Sequence, residues 1–73
     1  MAKKAHSFTD SDSIAHIVYE SDDGTLLVEF TSGRQYKYFD VEAARFDEFV
    51  AAPSAGKYFN ANILNKYKFE RLK

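Results

Sequence analysis

Seventy-three residues are enough for one domain and not for two, because a smaller unit buries too little surface to offset its ordering entropy. With no Cys there is no disulfide staple, no thiolate nucleophile, no redox pair and no sulfur-based zinc site. A core of this size supplies only ~3–5 kcal/mol net, so the aromatic mass of seven Phe and five Tyr must take the place of a staple. The net charge of −1 excludes a domain that grips nucleic acid by bulk charge, yet the charge is unevenly spread. Residues 49–73 carry Lys57, Lys66, Lys68, Arg71 and Lys73 against Glu70 alone, a locally basic third that suits a polyanion met end-on.

Residues 1–12 lack apolar spacing, and Thr9-Asp-Ser-Asp-Ser13 has loop composition, so the expectation is a flexible N-terminal arm followed by a single domain over residues 13–73. No stretch approaches the ~20 apolar residues of a membrane span, and the start has no apolar run behind its lysines, so a cytoplasmic protein is expected. Ile14-Ala-His-Ile-Val-Tyr19 is β-branched and aromatic and ends in Glu20-Ser-Asp-Asp-Gly24, where Gly24 can supply a positive φ. This predicts a strand and a turn, with apolar residues at both parities so that the strand does not settle its own facing.

Leu26–Phe30 and Arg34–Phe39 flank Thr31-Ser32-Gly33 and predict a hairpin. A two-residue loop would place Gln35 and Lys37 on the Leu26/Val28/Phe30 face, and burying Lys37 there is costly. A three-residue loop with Gly33 in a left-handed bulge instead pairs Phe30 with Arg34, Val28 with Tyr36 and Leu26 with Tyr38, giving one apolar face. Tyr36 and Tyr38 then point to the core rather than forming a stacking platform, and Leu27, Lys37 and Phe39 share the other side. That outward patch, Leu27 with Phe39, suits a protein partner or a second copy unless Phe8 of the arm covers it.

Asp40 has the chemistry of an N-cap, and Ala43, Phe46, Phe49 and Val50 recur at helical spacing, predicting a helix to about Ala52. Pro53 stops it and Ser54 caps a second helix bearing Ala55, Tyr58, Phe59, Asn62 and Ile63. The tail from Lys66 to Leu72 alternates like a short strand with Tyr67 and Phe69 on one side, either pairing with a sheet edge or lying across the helices. The fold class is thus α+β: a three-stranded antiparallel meander, two short helices and a short C-terminal extended segment.

The run Leu26-Leu-Val-Glu-Phe-Thr-Ser-Gly-Arg-Gln-Tyr-Lys-Tyr-Phe-Asp-Val41, followed by Ser54-Ala-Gly-Lys-Tyr-Phe-Asn60, Ile63 and Tyr67, closely resembles the KTSC domain. Tyr36-Lys37-Tyr38 matches the family's Tyr-x-Tyr motif, and Ser54 to Asn60, including Phe59, its second segment. The resemblance implies a small bacterial domain that stands alone or sits at the C-terminus of lysyl-tRNA synthetases, and through that association it implies RNA binding. Two positions depart from the pattern. Glu42 stands where many members have Pro, and Leu64 stands where a basic residue often follows the Ile.

No residue set predicts catalysis. His16 is a lone strand histidine, Ser54-Ala-Gly-Lys57 lacks the first glycine and preceding strand of a phosphate loop, and no Ser, His and carboxylate are brought together by spacing. Gly56 reads as a close-packing residue, although the first turn of its helix leaves free amides for one phosphate. The expectation is a non-enzymatic binding module without metal, small-molecule cofactor or membrane. Its candidate ligand is RNA of the tRNA type, held by Arg34, Lys37, Lys57, Lys66, Lys68 and Arg71. The alternative is a protein-interaction or self-associating module using Leu27 and Phe39.

Overall fold

The computed structural model describes residues 3–9 and 11–73. Five strands form one antiparallel sheet in the order β1-β2-β3-β4-β5: β1 Lys3–Ser7, β2 Ile14–Glu20, β3 Thr25–Phe30, β4 Gln35–Tyr38 and β5 Phe69–Arg71. Two helices, α1 Ala43–Ala51 and α2 Ala55–Asn62, intervene between β4 and β5.

The class is α+β as expected, but the sheet has five strands and not three. Lys3–Ser7, expected as part of an unstructured arm, pairs with β2 from Lys3 opposite Glu20 to Ser7 opposite His16. An edge strand with one covered face at most needs little apolar alternation, and β1 has none; it is held chiefly by its pairing with β2. Met1, Ala2 and Asp10 of the expected arm lie outside the described residues. The tail resolves in favour of sheet pairing, with Tyr36 opposite Arg71, Lys37 opposite Glu70 and Tyr38 opposite Phe69.

In the central hairpin the bulged register holds. Leu26 pairs with Tyr38 and Val28 with Tyr36, the Phe30 N–H donates to the Arg34 carbonyl at 2.9 Å, and Gly33 has φ 96°. A side chain at that φ is strained, so the glycine fixes the parity of both tyrosines. The facing of β2 is settled by an irregularity between Ile14 and His16, which turns Ile14 to the same side as Ile17 and Tyr19.

All three join Leu26, Val28 and Tyr38 beneath Phe46, Phe49, Phe59 and Ile63 of the helical layer. Both helices cover this face and neither covers the other. Phe8 also turns inward, 5.6 Å from Phe49, because His6 opposite Ile17 sets its parity. It therefore does not cover the Leu27/Phe39 side.

Asp40 does not cap α1. It has φ 58° and turns the chain sharply after β4, a conformation Asp tolerates better than most residues. The Val41 N–H then donates to the Gly24 carbonyl at 2.8 Å, and the Tyr19 hydroxyl donates to the Val41 carbonyl at 2.6 Å. These bonds consume the geometry that an Asp40 cap would need, so Glu42 occupies the N-cap position without a side-chain cap bond. Ser54 caps α2 as expected, its Oγ accepting from the Lys57 N–H at 3.3 Å.

Candidate nucleic-acid interface along the β5 edge

Pairing of β5 with β4 decides where the C-terminal bases lie. The Phe39 N–H donates to the Lys68 carbonyl at 3.0 Å, and the Gln35 N–H donates to the Lys73 carbonyl at 3.1 Å. Lys68 thus lies at one end of the edge, with Lys66 in the turn that leads to it, its N–H donating to the Ile63 carbonyl at 3.1 Å, and Arg71 and Lys73 lie at the other end, beside Arg34 of the β3–β4 turn. Lys68 and Arg71 are separated by three residues of extended chain, ~10 Å at ~3.3 Å each. All five are exposed and, among the described residues, none forms an ion pair.

Two other predicted cations are placed elsewhere. Lys57 is in the first turn of α2, where a side chain on Gly56 would press within 2.7 Å of the Ser13 Oγ, so Gly56 permits a close approach of the helix to the β1–β2 connection. The Lys57 amide is taken by Ser54, and the Tyr58 amide by the Ser54 carbonyl at 3.0 Å. Lys37 lies opposite Leu27 on the uncovered sheet face, its Nζ 5.8 Å from the centre of the Phe39 ring.

Tyr38 is buried and its hydroxyl has no hydrogen-bond partner among the described residues. Burial, and next the neighbouring Tyr36, pushes its pKa up to about 12. Tyr36 is half-buried, 5.6 Å from Phe69, while Phe69 itself is 53% exposed. Phe59 is inside, 5.8 Å from Tyr38.

A polar cluster that the sequence did not reveal ties the approach to β5 onto the helices. The Arg45 Nε donates to the Tyr67 hydroxyl at 3.3 Å, and its Nη1 to Tyr58 at 3.3 Å, Glu48 at 3.1 Å and Asn62 at 3.4 Å. The two hydroxyls pass the chain on, Tyr67 donating to Glu42 and Tyr58 to Glu48, both at 2.7 Å. The bond from Tyr67 holds Glu42 below the ordinary carboxylate range. Tyr58 and Tyr67 are raised, first by burial and then by the carboxylates that accept from them. Arg45 is raised by its two tyrosine partners and stays charged. In sequence Arg45 is one more charge on a helix flank; the only signal is Glu48 three residues on, which gives no hint of Tyr58 or Tyr67.

The uncovered face carries a shallow depression of about 170 Å3 between Val18, Leu27 and Leu72, bordered by Lys3, Glu20 and Lys37. Among the described residues no three His, Asp or Glu side chains gather to hold a metal ion, and no helix is long and apolar enough to cross a membrane.

The chain has close relatives of known name. It is 42% identical over 59 residues to a lysine–tRNA ligase of Nostoc punctiforme, and 46% identical over 54 residues to one of Trichormus variabilis. These matches cover 81% and 74% of the chain but only 10% of each ligase, so it spans about a tenth of their length. In structure it is similar to a KTSC domain protein of Yersinia pestis, with a TM-score of 0.87 at 26% identity over 99% of this chain and all of that one. The profile of the KTSC domain matches residues 10–67, which include the Tyr36-Lys37-Tyr38 motif and the Ser54–Asn60 segment. The chain belongs to the KTSC domain family.

Proposed function

We propose that the chain is a non-enzymatic module that binds RNA of the tRNA type through the β5 edge, with Arg34, Lys66, Lys68 and Arg71 contacting phosphates. The observation that carries this reading is the group of exposed cations along one edge of a net acidic molecule, none of them in an ion pair among the described residues. Relatives named lysine–tRNA ligases that match this chain support it. Lys37 and Lys57 lie off that edge and are secondary contacts.

Phosphate neutralisation releases counterions, so affinity must fall steeply as salt rises. Titration of labelled tRNA at several salt concentrations tests this: the expected result is a linear fall of log affinity with log salt, and no binding at low salt overturns it.

A second reading is favoured by the uncovered sheet face, where Leu27 and Phe39 flank Lys37 and Leu72 is 45% exposed. Such a face suits a protein partner or a second copy. Sedimentation across concentration checks self-association; a dimer lost in Phe39→Asp supports it, and a strict monomer with no partner excludes it.

A further inference from the structure

Resting on the RNA reading, we infer that the β5 edge takes unpaired nucleotides, with a base stacked on the outer side of the Phe69 ring. Five aromatic rings form a closed circuit here. Phe59 meets Phe30 at 5.3 Å and Tyr38 at 5.8 Å, Phe30 meets Tyr36 at 5.7 Å, and Phe69 closes the circuit against Tyr36 at 5.6 Å and Tyr38 at 5.7 Å. Tyr38 and Phe59 are buried and Tyr36 and Phe30 half-buried, whereas Phe69 is the one member left 53% exposed.

The two contacts that Phe69 makes are tilted by 30° and 37°, so the ring leans on both tyrosines while the residue stays 53% exposed. A ring braced in this way loses little further freedom when a flat partner lies on it. Phe69 would otherwise be a poor choice for a sheet edge, where exposed apolar surface invites aggregation.

The charges around it choose the partner. Arg71 projects from the same side of β5 as Phe69, ~7 Å further along, and among the described residues it donates only its Nε, to the Lys73 carbonyl at 3.4 Å. Glu70 and Lys68 both alternate to the opposite side, Glu70 across from Lys37 and Lys68 beside Phe39. Of the acids on and beside α1, Glu42 accepts from Tyr67 and Glu48 from Tyr58 and Arg45.

An aromatic surface beside the exposed Arg71 fits a strand whose bases are splayed out and whose phosphates pass the guanidinium. A duplex does not fit, since its base faces are covered by their neighbours and its deep groove excludes side chains.

The test measures binding of labelled oligonucleotides, single-stranded and duplex RNA of equal length, at low salt to the full chain. The proteins compared are wild type, Phe69→Ala, Phe69→Leu and Arg71→Gln, each checked for an unchanged circular-dichroism spectrum. The single strand is expected to bind at least tenfold tighter than the duplex. Phe69→Ala should cost roughly 5- to 150-fold on the single strand, as removal of one stacked base does. Phe69→Leu, which keeps apolar bulk without the flat ring, should lose most of that affinity with its salt slope unaltered, whereas Arg71→Gln should flatten the slope. Equal binding of duplex and single strand, or a Phe69→Leu variant that binds like wild type, overturns the stacking inference and leaves the RNA reading standing. No binding of any RNA or tRNA at low salt removes both.

Discussion

At the β1 edge each lysine has an acid: Lys3 lies 3.9 Å from Glu20 on the neighbouring strand and Lys4 4.0 Å from Asp47 on α1. At the β5 edge Lys66, Lys68 and Arg71 have no such partner among the described residues, and an exposed aromatic ring stands between them. Exposed ion pairs add little to stability, so the difference matters less for the fold than for what each edge offers to a partner. Both edges discourage strand addition by charge. Only β5 leaves that charge available, which is why two lysine-bearing edges imply opposite behaviour.

The largest effect that can test this contrast compares two rings of the aromatic circuit. Phe59→Ala should destabilise by about 3–5 kcal/mol, read from denaturant unfolding, because it opens a cavity under Phe30 and Tyr38. Phe69→Ala should cost under about 1.5 kcal/mol, since much of its surface is already in water. Similar losses would place Phe69 in the core and end its candidacy as a binding ring.

Charge reversal comes next. The pair Lys68→Glu and Arg71→Glu should weaken tRNA binding at low salt by about tenfold or more, while Lys3→Glu with Lys4→Glu should leave it within about threefold. Equal losses at both edges would show bulk attraction and not a site.

The third test concerns pH. Tyr38 has a folded-state pKa of about 12 against an ordinary 10.0, so the unfolded chain holds fewer protons between those values. Its contribution to stability is complete below pH 10 and is lost as pH rises toward 12. Tyr58 and Tyr67 are shifted in the same direction and add to the alkaline slope. Tyr38→Phe should make that slope shallower without abolishing it, in unfolding measured from pH 9 to 12. At neutral pH it should be neutral or stabilising by up to about 1 kcal/mol, because it deletes a buried hydroxyl that has no partner among the described residues.

How much could be foreseen depended on whether the information was local. Gly33 and the cost of burying Lys37 fixed the hairpin register, and Ser54 fixed the start of α2, because each rule acts within a few residues. The β1 strand was illegible because its pairing partner, not its composition, makes it a strand. Asp40 misled because an N-cap and a left-handed turn favour the same residue type, and the deciding bond comes from Gly24 in a distant turn. Of the candidate site, the basic C-terminal segment was legible as composition. Its alignment along β5, the outward ring of Phe69 and the Arg45 cluster were not, since they depend on which strand the tail joins.

The route of the chain into β5 sets an order of assembly. The first four strands follow one another through short connections, whereas β4 reaches β5 only through residues 39–68 and both helices. Closing so long a loop for a three-residue strand costs more entropy and returns fewer bonds than any earlier pairing. The segment 69–71 should therefore zip last and open first, and amide exchange there should be the fastest of the sheet's paired strands. A strand of RNA laid across it would act as a latch on the least secured part of the sheet.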